Sequence, residues 1–77
     1  MKKFTIHEIK PDGSRRQQSV NANRMTTVQD FANNWQVMPR ISVLIIMCDG
    51  VVVSQRDAGD DQEWKTFTVG QCGVEVS

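Results

Sequence analysis

Few side chains in this sequence could act as ligands or nucleophiles. His7 is the sole histidine, and Cys48 and Cys72 are the two cysteines. Together they would offer three zinc ligands, but their spacing matches no zinc pattern. A cysteine–histidine nucleophilic pair needs the base within hydrogen-bond reach of the thiol, and nothing in the sequence brings His7 to either cysteine. Two cysteines do not make a disulfide framework, so both are expected as free thiols that would pair only in an oxidising compartment. Asp57, Asp60, Asp61 and Glu63 crowd into one polar stretch. Calcium takes six to eight oxygen ligands at defined loop positions, and Asp-Ala-Gly-Asp-Asp-Gln-Glu does not match that loop. No metal and no cofactor is expected. The four acids read either as a solvated loop or, with Trp64 beside them as an anchor, as a surface that meets a basic partner.

The cations make one cluster, Lys10, Arg15, Arg16 and Arg24. Phosphate contact would use such residues. Binding of single strands also wants stacking aromatics among them, and none lies between Lys10 and Arg24. There is no phosphate-cradling glycine loop, nucleophile elbow or metalloprotease motif. With no acid–base pair and no nucleophile that has a partner, the sequence reads as a non-enzyme.

Charge supports that direction. Nine basic residues balance nine acidic ones, so a bulk-basic nucleic-acid binder is disfavoured. The balance conceals an asymmetry. Residues 1–40 carry seven basic and three acidic side chains, whereas residues 41–77 carry two basic and six acidic. A bipolar molecule presents two different surfaces to partners.

The elements that must position these residues follow from periodicity. Seventy-seven residues make one small domain, 1–77. Lys3 to Ile9 alternates as a strand does. Lys10-Pro11-Asp12-Gly13 is a reverse turn, and Ser14 to Val20 returns as a polar, exposed edge strand. Asn21 to Met25 reads as a loop. Thr27 and Asp30 resemble a capping box, with Val28, Phe31, Ala32 and Trp35 on one helical stripe and Gln29, Asn33 and Gln36 on the opposite face. Pro39 stops this helix at or before Met38.

Ser42 to Cys48 and Val51 to Val53 are apolar runs joined by Asp49-Gly50, the strongest short hairpin signal, in a type I′ turn. That loop sets Cys48 opposite Val51, Met47 opposite Val52 and Ile46 opposite Val53. Arg56 to Glu63 is a polar loop, Trp64 to Val69 a strand, and 70–77 a flexible tail with a short strand at Val74 to Val76. The expected class is α+β, an antiparallel sheet of four to five strands with one helix on one face, in the order β-β-α-β-β-β. The expected sheet order is 2-1-3-4-5.

The central hairpin is apolar on both faces, although one helix can cover only one. Leu44, Ile46, Cys48, Val51 and Val53 share one side, and Val43, Ile45, Met47 and Val52 share the other. A one-sided sheet should alternate apolar with polar, so something should cover the second face. The candidates are the tail with Trp64, a second copy of the chain, or a partner protein. Self-association is expected through Val43, Ile45, Met47 and Val52, as a homodimer.

Positive charge at Lys2 and Lys3 is not followed by an apolar signal core. The six-residue run Val43–Cys48 is far short of the ~20 residues that span a bilayer as a helix. No membrane association and a cytoplasmic location are expected. The layout is similar to that of small phage and mobile-element proteins that block host defence, such as the anti-CRISPR proteins. The features that carry the resemblance are chain length, the Pro11-Asp12-Gly13 and Asp49-Gly50 hairpins, and the Thr27 to Met38 helix between them. The resemblance implies a viral inhibitor that acts in the host cytoplasm by occluding a protein surface without catalysis. The expected function is therefore protein binding, with Asp57, Asp60, Asp61, Glu63 and Trp64 as partner-binding residues. The alternative is a nucleic-acid-binding module that uses Arg15, Arg16 and Arg24.

Overall fold

The computed structural model describes residues 2–38, 40–59 and 63–67. Its elements are β1 (Lys2–Ile9), β2 (Arg15–Ala22), α1 (Met25–Trp35), β3 (Val43–Cys48), β4 (Val51–Arg56) and β5 (Lys65–Thr66). All five strands lie in one antiparallel sheet of order β2-β1-β3-β4-β5. The α+β class and strand order agree with the sequence reading. The tail 70–77, with Val74 and Val76, lies outside the described residues.

Both hairpins close on the residues that demand it. Lys10 C=O accepts from Gly13 N–H (2.9 Å) and Lys10 N–H donates to Ser14 C=O (2.9 Å). Gly13 stands at φ +90°, where a Cβ would be strained. Asp12 accepts from the Ser14 N–H (2.9 Å) and hydroxyl (2.7 Å), which pins the loop. In the second hairpin Asp49 and Gly50 take φ 52° and 78°, the left-handed pair of a type I′ turn. Cys48 faces Val51 and Met47 faces Val52 as expected. The third pairing is different: Ile46 faces Ser54, because a β-bulge absorbs Val53 as an extra residue. The bulge turns both Val53 and Ser54 inward, and each is fully buried.

The core lies between α1 and one face of the sheet. Phe4 and Ile6 from β1, Leu44, Ile46 and Cys48 from β3, and Val53 from β4 meet Met25, Val28 and Ala32 of α1. Strand alternation sends Thr5, His7, Ile9, Val43, Ile45, Met47, Val52 and Gln55 to the opposite face. No described element packs on that face.

The helix departs from expectation. It starts at Met25 and ends at Trp35, with Arg24 as N-cap and no side-chain cap bond, so Thr27 and Asp30 form no capping box. Burying Met25, 7% exposed, against the sheet outweighs the lost cap. The buried stripe is Met25, Val28 and Ala32, while Phe31 faces solvent at 41% exposure. The end of the helix at Trp35 falls within the expected limit of Met38. Gln36 leaves the helical region at ψ 143°, and the next two N–H groups are bound elsewhere.

Candidate functional site

Two buried polar centres flank α1. The first is built around Glu8, which β1 delivers to the helix side of the sheet with no exposure at all. Its Oε2 accepts from Val37 N–H (2.9 Å), Met38 N–H (3.0 Å) and Ser42 Oγ (2.9 Å), and its Oε1 accepts from Arg16 Nη1 (3.1 Å). Burial pushes the carboxyl up, but these bonds outweigh it and hold the pKa below its ordinary value. Arg16 also donates to Trp35 C=O (3.3 Å) and lies over the Trp35 ring at 4.4 Å. The carboxylate thus fastens the segment after α1 to the sheet. Both carboxylate oxygens are thereby engaged by donors from β2 and from the segment between α1 and β3.

The second centre runs down the other side of α1. Gln29 donates to Ser54 Oγ (3.1 Å) and Thr66 Oγ1 (3.3 Å). Asn33 Oδ1 and Gln36 Oε1 each accept from Arg56, at 2.5 Å. Arg56 is 2% exposed, and its guanidinium stands 5.7 Å from the Trp64 ring. Desolvation lowers its pKa. Gln29, Asn33 and Gln36, the polar side chains opposite the expected stripe, form a polar seam that joins α1 to β4 and β5. The seam left a sequence signal, three amide side chains at i, i+4 and i+7, but their acceptors and donors lie more than fifteen residues away.

The sequence-predicted residues fall into separate places. Of the acidic stretch, Asp57 accepts from Gln55 (2.6 Å) and pairs with Lys65 (3.3 Å), with its pKa lowered by those two partners, and Glu63 is exposed. Asp60 and Asp61 lie outside the described residues. Asp57, Ala58, Glu63, Trp64 and Lys65 line a shallow hollow of about 230 Å³. Trp64 packs against the helix-side core, so it does not close the open face. Its indole N–H is buried without a partner among the described residues.

The basic cluster is divided. Arg15 and Arg24 are exposed and Lys10 is half-buried, but Arg16 is committed to Glu8 and Trp35. Val43, Ile45, Met47 and Val52 do share the open face, where Ile9 joins Val43 across β1 and β3. All five side chains are half-buried.

His7 sits on the open face between Gln17 and Ile45, whereas Cys48 points to the core. These two side chains therefore cannot work as a pair. No group of three or more potential metal ligands is found among the described residues. Cys48 is disulfide-bonded, which corrects the expectation of a free thiol. Spacing along a chain says nothing about whether two sulfurs approach in space, and Cys72 lies outside the described residues. Among the described residues no helix is long and apolar enough to cross a membrane. Comparison with protein-family models, curated proteins and solved structures returns no match.

Proposed function

We propose that this chain is a non-enzymatic protein-binding module that docks the open face of its sheet onto a larger macromolecular target and occludes it. The observation that carries this reading is the row Ile9, Val43, Ile45, Met47 and Val52, which lies half-buried opposite the helix with no described element over it. Covering aliphatic side chains is favourable in proportion to area, at roughly 25 cal/mol per Å². Asp57 and Glu63, both exposed between β4 and β5, steer a basic partner towards that face. A second copy of the chain competes for the same surface as a homodimer.

The polar centres support a binding role over catalysis. Glu8 is saturated by donors, and Arg56 is enclosed by Asn33, Gln36 and Trp64. Nucleic acid is not favoured as the target, because Arg16 is withdrawn from the basic cluster and no aromatic lies between Lys10 and Arg24 to stack a base. The Cys48 disulfide weighs on the compartment. Such bonds persist in oxidising surroundings and are rare in a reducing cytosol, so it argues against cytoplasmic residence.

The test is capture of a target from a nuclease-treated lysate by the wild-type chain and by Ile45→Lys, with sedimentation of both. A protein captured by the wild type and lost with Ile45→Lys, at unchanged circular dichroism, supports the reading. Equal capture by the variant, or capture that depends on nucleic acid, overturns it.

A further inference from the structure

β2 is a terminal strand of the sheet, eight residues long, paired with β1 on one side only. Its register with β1 is unbroken from Lys2↔Ala22 to Ile9↔Arg15. The direction of its backbone groups follows from the turn. Lys10 N–H donates to Ser14 C=O, which makes that opposed pair a hydrogen-bonded one. In an antiparallel ladder such pairs alternate with non-bonded pairs. Even-numbered β2 residues therefore bond β1, and Arg15, Gln17, Ser19 and Asn21 aim their N–H and C=O groups outward. The Ser19 carbonyl confirms this, because it accepts from the Gln18 side chain at 3.1 Å. All four outward residues are exposed.

Natural edges are commonly blunted by proline, by bulges or by charged side chains. β2 contains no proline and no bulge. One of its two arginines, Arg16, is folded under onto Glu8 and Trp35. What remains is a straight row of amides with an exposed cation at each end, Arg15 at the start and Arg24 just beyond Ala22. β2 itself carries no acid, Glu8 is consumed by Arg16, and Asp12 is tied to Ser14 in the turn.

We propose that the outer edge of β2 accepts an extended, acidic segment of a protein partner as a sixth strand. Main-chain bonds at Arg15, Gln17, Ser19 and Asn21 would hold it, and Arg15 and Arg24 would select its charge. This rests on the binding-module reading and adds a second surface to it. Charge sets the choice of occupant. A second copy paired about Gln18 would lay the arginine-bearing ends of two basic edges together, whereas an acidic strand neutralises them.

The probe is a blocked eight-residue peptide of alternating Glu and Val, with a twin that carries Lys in place of Glu. Amide hydrogen exchange is read residue by residue with and without peptide. The expected result is exchange slowed about tenfold or more at Gln17, Ser19 and Asn21, unchanged at Gln18 and Val20, with at least ~tenfold weaker binding of the Lys twin. Gln17→Pro deletes an outward donor only, so it should fold and lose the peptide. Arg15→Glu alters an exposed side chain and should reverse the preference between the two peptides, which keeps the test decisive if the proline variant fails to fold. Unchanged exchange at saturating peptide, or equal binding of the twin, overturns the proposal. So does protection that rises with protein concentration alone, which would identify a second copy as the occupant. A wild-type chain that captures its target but shows no edge protection leaves the binding-module reading standing and removes this one.

Discussion

Replacing Glu8 with glutamine probes the interaction that fixes where α1 ends. The side chain keeps its shape but loses its charge. If the amide oxygen takes the place of Oε2, it still accepts from Val37 N–H, Met38 N–H and Ser42 Oγ. Each bond then loses charge assistance, a difference of about 0.5–1 kcal/mol per bond. The amide NH₂ now meets Arg16 Nη1, donor against donor. Arg16 is one-third exposed at its side chain and can turn to water, so that loss is held to about 0–1 kcal/mol. Together these terms give about 1.5–4 kcal/mol. A domain of this size holds only about 4–12 kcal/mol in all, so the variant should lose a large fraction of its stability.

Urea titration followed by circular dichroism at pH 7 measures this as a lower midpoint at unchanged slope. The pH dependence gives a second reading. The folded carboxyl has a depressed pKa, so its contribution is present above the unfolded value of about 4.3 and is lost as pH falls through the lower folded value. The gap between wild type and Glu8→Gln should therefore narrow below about pH 4. A variant within about 0.5 kcal/mol of wild type at pH 7, or a gap that ignores pH, would refute the reasoning.

Three further outcomes are expected. Leu44→Ala empties a fully buried site under α1 and should cost about 2–5 kcal/mol in the same titration; a loss under 1 kcal/mol would mean that the site collapses freely. Gly50→Ala meets no atom within 4 Å but is held at φ 78°, so it should cost about 1 kcal/mol of backbone strain, seen as a lower thermal midpoint without a change in the folded spectrum. Cys48 should resist iodoacetamide in unreduced, denatured protein and become labelled after reduction, with peptide mass spectrometry as the check; labelling before reduction would count against the disulfide.

The strands were legible because their cues are local. Asp49-Gly50 dictates a turn whatever surrounds it, and alternation from Lys3 to Ile9 marks β1 as a strand. What escaped depends on groups brought together by folding. Glu8 looks like a surface acid until Arg16, Ser42 and two backbone amides converge on it. Gln29, Asn33 and Gln36 look like no more than the polar face of a helix until Ser54, Thr66 and Arg56 arrive. The bulge at Val53 follows the same pattern. A third valine seemed to extend the pairing with Ile46, but inserting it is what turns Ser54 and Arg56 towards the helix. The doubly apolar hairpin and the edge position of β2 were readable from composition, whereas the direction of the β2 backbone groups needed the hydrogen bonds of the turn.

The position of β1 shapes how the chain reaches this structure. The two hairpins close locally, on microsecond timescales. The β1–β3 seam instead joins residues roughly 35 to 40 positions apart, at a loop-closure cost of about 3 kcal/mol that later contacts must offset. That seam divides the sheet into halves made by the first 40 and last 37 residues, so neither half can complete the core without the other. The folding barrier therefore lies at the docking of one hairpin onto the other, with α1 bridging them. Ile6 and Ile46 face each other across the seam. In stopped-flow measurements Ile6→Val or Ile46→Val should slow refolding, whereas Val53→Ala, beyond the seam in β4, should mainly hasten unfolding.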